Sequence, residues 1–124
     1  MIHGVVTSQF DAVISLVVMG SNGQRELIDA VVDTGFDGWL SLPHSLVREL
    51  DLPWQSLGRA LLADGSECEY DIHDGAVLWD SAHREISIDA CDSEPLVGMR
   101  LLEGFEVVLP VRKGSPFTIA PILD

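Results

Sequence analysis

Short apolar runs rich in β-branched residues, separated by small polar turns, recur along the chain and predict a β protein. Ala12–Met19 and Arg25–Val32 flank Gly20-Ser21-Asn22-Gly23, and Asn-Gly supplies the positive φ angles that a tight hairpin turn requires. These two runs are therefore expected to pair antiparallel, with a short strand over residues 2–7 before them. Residues 39–42 read as extended. Pro43 then opens a short helix that places Leu46, Val47 and Leu50 on one face, and Pro53 ends it. Residues 59–63 and 67–79 read as two strands joined at Asp64-Gly65, and residues 85–89 alternate polar and apolar as a half-buried strand does. A short helix over 98–102 stops at Gly104, and strands over 105–111 and 117–122 follow. The expectation is a single domain over residues 1–124, mainly antiparallel β with two short helices.

Composition narrows the function. With 124 residues, 47% of them hydrophobic, the chain can bury a core. The net charge of −13 argues against nucleic acid, whose phosphates such a surface repels. It reads as a solubility feature, and it means that two copies of the chain would associate more tightly with added salt or mild acid. Cys68 and Cys91 are too few for a disulfide framework and are read as free thiols of a reducing compartment. The first twenty residues carry no basic n-region, and the longest apolar stretch, Ala12–Met19, is far short of the ~20 residues that span a bilayer. The expectation is a cytoplasmic protein without a membrane partner.

The candidate chemistry sits at Asp33-Thr34-Gly35, where the run ending in Val31 and Val32 delivers a carboxylate into a tight turn. By itself the triplet fits an ordinary turn at a strand end, since all three residues favour turns. It also fits a loop built to present a carboxylate, because Gly35 lets main-chain amides approach it closely. Two carboxylates held about 3 Å apart cannot both ionise, so they share one proton. The ionised one takes a proton from water and the protonated one polarises a carbonyl, so the pair hydrolyses a peptide without metal or organic cofactor. One chain supplies one such triplet, so this chemistry requires a homodimer with Asp33 contributed by each subunit across a two-fold axis.

About sixty residues later comes Leu96-Val97-Gly98-Met99-Arg100-Leu101-Leu102: two apolar residues, a glycine and a short helix ending in Leu-Leu. Together with Val31-Val32-Asp33-Thr34-Gly35-Phe36-Asp37-Gly38, this segment resembles the retropepsin-like aspartic proteases, most closely their short free-standing bacterial members, over residues 30–119. The resemblance implies a closed β-barrel lobe with short helices, one lobe per chain. It assigns Asp33, Thr34 and Gly35 to catalysis, and Leu96, Val97 and Gly98 to support of the catalytic loop. It places Phe36 and Asp37 beside the substrate, and a flap hairpin over residues 59–77 whose tip, Ala63-Asp64-Gly65-Ser66, closes on a peptide or protein. Phe36 stands where retroviral relatives carry a small residue, and Arg100 stands where many non-viral relatives carry an acidic one. The clasp between subunits is expected from residues 2–7 and 117–123.

Other readings fit less well. Asp33 and Asp37-Gly38 superficially match a calcium loop, but Gly35 and His44 occupy positions that need ligands. His3, His44, His73 and His83 have no zinc-type spacing, so no metal is expected. No Gly-x-Ser-x-Gly turn supports a serine nucleophile. Trp39, Trp54 and Trp79 read as core or flap-packing aromatics, while Leu61, Leu62 and Tyr70 either line a cleft or pack inward for stability. The rival from another class is a dimer of the same fold that binds peptides and cuts little, since fold does not imply function.

Overall fold

Asn22-Gly23 turns the chain as its sequence dictates: Gly23 takes a φ of 82°, and the hairpin it closes is the first structural unit. The computed structural model describes residues 1–123. In chain order the elements are β1 (Ile2–Val6), β2 (Ala12–Met19), β3 (Arg25–Val32), β4 (Leu40–Leu42), α1 (His44–Glu49), β5 (Trp54–Leu61), β6 (Glu67–Trp79), β7 (Ala82–Ala90), β8 (Leu96–Val97), α2 (Met99–Leu102), β9 (Phe105–Val108) and β10 (Pro116–Pro121). β2 and β3 pair from Val13↔Val31 to Met19↔Arg25, in the register that the hairpin turn sets.

All ten strands belong to one sheet in the order β5-β6-β7-β4-β8-β3-β2-β1-β10-β9. β6 also pairs with β2, through Val17↔Leu78 to Met19↔Ala76, so the pairings run round from β2 through β3, β8, β4, β7 and β6 back to β2. β5 lies outside this ring on one side, and β1, β10 and β9 lie outside it on the other. The sheet is mixed, because β3–β8 and β4–β7 are parallel while the other pairings are antiparallel.

Alternation puts one face of most strands inward. Ile14, Leu16 and Val18 of β2, Val77 and Trp79 of β6, Ile86 and Ile88 of β7, and Leu40 and Leu42 of β4 form the core with Val97 and Leu101. Burying each large aliphatic side chain contributes roughly 1.5–3 kcal/mol, so this cluster dominates the stability. Trp79 meets Phe105 edge-on with ring centroids 5.7 Å apart, which ties β6 to β9. Arg84 lies 5.2 Å over the Trp39 ring and donates to the Leu101 carbonyl at 3.0 Å, covering the core beside α2. Trp79 is thus a core aromatic, while Trp54 is 58% exposed and donates its indole N–H to Asp71 at 3.1 Å.

Several features differ from the sequence expectation. β5 begins at Trp54 rather than residue 59, with an irregularity in its pairing to β6 between Trp54 and Ser56. β9 stops at Val108 instead of reaching 111, because Pro110 has no N–H to extend a ladder. The expected clasp segments, residues 2–7 and 117–123, pair with each other inside the one chain, Ile2↔Ile119 to Val5↔Pro116. β10 has its other edge taken by β9, so the strand left open at this end of the sheet is β9. Among the described residues, no helix is long and apolar enough to cross a membrane.

The core assignment makes a direct prediction. Ile88→Ala, at a fully buried site, is expected to cost about 2–5 kcal/mol in urea unfolding. Leu27→Ala, on the same sheet but 70% exposed, is expected to change stability by no more than about 0.5 kcal/mol.

Candidate active site

β3 is exposed over most of its first half, buries Ala30, is half-buried through Val31 and Val32, and then releases Asp33 into a loop. Main-chain hydrogen bonds hold that loop. Asp33 N–H donates to the Val97 carbonyl at 2.9 Å, continuing the parallel ladder in which Val31 faces Leu96 and Val32 faces Val97. Phe36 N–H donates back to the Asp33 carbonyl at 3.2 Å, closing the turn. The Asp33 side chain is half-buried, and its Oδ1 accepts from Gly35 N–H at 2.9 Å, which fixes the direction in which the carboxylate points. Thr34 and Gly35 are exposed at the crest of the loop.

β8 is threaded between β3 and β4, pairing parallel with one and antiparallel with the other. The segment that follows it clamps the rest of the loop. Gly98 N–H donates to the Trp39 carbonyl at 3.0 Å, Met99 N–H to Phe36 at 2.8 Å and Arg100 N–H to Gly38 at 3.1 Å. This close approach requires glycine at 98, since a Cβ there would collide with the Gly38 carbonyl oxygen. Leu96, Val97 and Gly98 therefore underlie the Asp33 loop, and the short α2 starts directly from them. Phe36 does not project outward. It is half-buried and folds back over Gly38 and Gly98, where an added Cβ on either glycine would strike its ring.

Asp37 is exposed, and beside it stands a residue the sequence reading missed. Asp89, on β7, is half-buried, and among the described residues its carboxylate has no hydrogen-bond donor. Burial, and then the nearby charge of Asp37, push its pKa up to about 6, with Arg100 opposing the shift. Tyr70, across the hairpin on β6, has its phenol pushed up by burial and by the same two carboxylates, and it packs against Gly58. Partial burial and Asp89 also push the Cys91 thiol up, which disfavours the thiolate a cysteine nucleophile would need. Alternation correctly placed Asp89 on the polar face of its strand. What it left hidden is that the loop at Gly38 packs against the Asp89 carboxylate on that face.

The hairpin turns at Ala63, Asp64 and Gly65, all exposed. Gly65 adopts a φ of 86°. Asp64 Oδ1 accepts from the Ser66 N–H at 2.9 Å and from its hydroxyl, which holds the Asp64 carboxyl below its usual range and stiffens the tip. Among the described residues, no hydrogen bond joins this tip to the Asp33 loop. The structure thus brings Asp33, Thr34, Gly35, Phe36, Val97 and Gly98 together, sets Asp37 with Asp89 and Tyr70, and leaves Ala63, Asp64 and Gly65 apart from both. On its other side Asp33 faces a groove of about 410 Å³, which it lines with Thr34, Leu96, Phe10, Val107 and Leu109. Leu61 and Leu62 are exposed on the hairpin, while Tyr70 is half-buried at its base.

Among the described residues, no group of three or more His, Cys, Asp or Glu side chains is arranged to hold a metal ion. In comparisons with protein-family models, curated proteins and solved structures, nothing matched the chain significantly.

The strained charge of Asp89 has a pH signature. A carboxyl with a raised folded-state pKa binds more protons in the native than in the unfolded protein, so this residue's contribution to stability falls as pH rises from about 4 through 6. Asp89→Asn is expected to stabilise the protein by about 1 kcal/mol at pH 8, after allowance for solvent screening, and to leave it unchanged near pH 4. Thermal melts at the two pH values check this, and an equal effect at both would contradict the assignment.

Proposed function

We propose that the chain is an aspartic endopeptidase of the retropepsin-like type whose active unit is a homodimer. The observation that carries this reading is the presentation of Asp33: a carboxylate aimed by the Gly35 amide, on a loop clamped by main-chain bonds from Val97, Gly98, Met99 and Arg100. An ordinary turn at a strand end needs no second strand threaded beneath it and no glycine seated against its carbonyl. A pure binding module gains nothing from bringing two like charges together, since each raises the cost of ionising the other.

In the proposed reaction the ionised Asp33 of one subunit takes a proton from a bound water. The protonated Asp33 of the partner subunit donates a hydrogen bond to the scissile carbonyl oxygen. The water oxygen adds to the carbonyl carbon as the hydrogen-bonding proton passes to the carbonyl oxygen, giving a tetrahedral diol. The carbon–nitrogen bond then breaks as the proton taken from water passes to the departing amine and a diol hydroxyl returns its proton to the pair, which again holds one shared proton. Thr34, at the exposed crest of the loop, is placed to lock one loop against its symmetry mate. The β5–β6 hairpin acts as the flap, with Ala63, Asp64 and Gly65 closing over the peptide and Asp37 meeting its main chain. Exposed Leu57, Leu61 and Leu62 on that hairpin suit an apolar substrate segment.

Cleavage of a diverse peptide library from about pH 3.5 to 7.5 tests the proposal. Wild type is expected to cut, and Asp33→Asn is expected to lose at least about a thousandfold in kcat/KM while keeping its fold and its association state. A shared-proton pair works from acidic to near-neutral pH, so a rate that climbs steadily above about pH 9 would overturn the mechanism. A well-formed wild-type dimer that binds library peptides without cutting them would instead establish the peptide-binding module.

A further inference from the structure

The negative charge of this chain is unevenly placed. Residues 11–106 hold nineteen of the twenty acidic residues and five of the seven basic ones, whereas residues 1–10 and 107–123 hold Arg112, Lys113 and no acidic residue. Asp124 is the remaining acid. The topology gathers those two acid-free stretches into one lip of the sheet. β1 pairs with β10 and β10 with β9, while the returning loop is tied to β1 by Val6 N–H to Ser115 at 2.9 Å and Gly114 N–H to Val6 at 2.7 Å. Glu106, at the start of β9, borders these stretches.

The lip is also apolar and open. Val108, Leu109 and Val111 are 52%, 40% and 63% exposed, and among the described residues the outer edge of β9 has no strand beside it. Phe10 is 60% exposed and held at a φ of 63°, a strained conformation for a residue with a side chain. Lys113 places its ammonium 5.4 Å over that ring. The groove bordering Asp33 and Thr34 has Phe10, Val107 and Leu109 as its other wall, so the lip and the Asp33 loop share one surface, with Asp11 and Glu94 also lining it.

We infer that this lip is the face on which a second copy of the chain docks, through the free edge of β9 and the apolar groove beside Asp33. The inference rests on the homodimer reading above and specifies its surface, with contact made through β9 and the groove rather than through the terminal strands β1 and β10 of the sequence expectation. A two-fold contact presents the same patch twice, so a surface dense in carboxylates would repel itself. Here the basic Arg112 and Lys113 of each copy answer the Asp11 and Glu94 that line the opposing groove. The β5–β6 hairpin also exposes Leu57, Leu61 and Leu62, but its Glu67 and Glu69 are already answered by Arg59 of the same hairpin, at 3.9 and 3.7 Å.

Sedimentation equilibrium of the full chain over a concentration series tests the surface. Wild type is expected to dimerise, more tightly at higher salt. The Val108→Glu/Val111→Glu variant is expected to weaken the dimer at least about tenfold, and Leu57→Glu/Leu61→Glu to leave it unchanged. Hydrogen exchange of wild type across the same concentrations gives a second readout, independent of whether the lip variant folds: β9 amides are expected to slow as the dimer forms. A wild type that stays monomeric, β9 exchange that ignores concentration, or a dimer lost only in the hairpin variant each overturns the inference. Peptide cleavage on the same samples separates the two readings. A lip-dependent dimer that cuts nothing upholds the surface and removes the protease, whereas cleavage by a lip variant that remains dimeric does the reverse.

Discussion

Gly98 seated against the Gly38 carbonyl is the contact on which the candidate site depends. Because no side chain intervenes, the main chain after β8 comes close enough for three successive amides to bond the loop between Phe36 and Trp39. One step earlier, Val97 accepts from the Asp33 amide. The Asp33 loop is thus an extension of the sheet, carried on two strands from distant parts of the sequence. A carboxylate that must be positioned to a fraction of an ångström gains more from such support than from any side-chain contact of its own.

Where local chemistry decides, the sequence was a good guide. β2, β3 and β6 begin and end where their apolar runs do, since Gly23 and Gly65 supply the positive φ angles their turns need. Pro43 and Pro53 likewise frame α1. The Asp33 loop and the segment beneath it were legible as two motifs, and the structure sets them side by side. What stayed hidden is non-local. Two residues, Leu96 and Val97, are too few to show a strand period, yet they form the strand that links β3 to β4. Asp89 read as a solvent-facing polar position because alternation cannot report that the loop at Gly38 packs against its carboxylate. The mutual pairing of β1 and β10 was equally unreadable, as strand partners so far apart are chosen by the completed sheet.

The two surfaces around Asp33 divide the electrostatics between them. On the side of Asp37, Asp89 and Tyr70, carboxylates gather and burial raises the pKa of Asp89 against the opposing charge of Arg100. On the side of the lip, acidic residues thin out and apolar ones come to the surface. Burying a charge is costly and burying an aliphatic surface is favourable, so these environments suit different occupants. The acidic side tolerates water and polar ligands, whereas the lip gains by losing its water to a protein neighbour.

The late position of β8 in the chain also sets when the Asp33 loop can exist. Its partners β3 and β4 are complete by residue 42, but the strand that joins them does not arrive until residues 96–97, after the long β5–β6 hairpin and β7 have been made. Contacts of such sequence separation carry a loop-closure cost and form late in folding. During synthesis the carboxylate therefore remains on an unclamped turn until most of the domain has emerged. The growing chain passes through its hairpins with its most reactive-looking element still unassembled, and a truncated or stalled product carries the Asp-Thr-Gly sequence without the geometry.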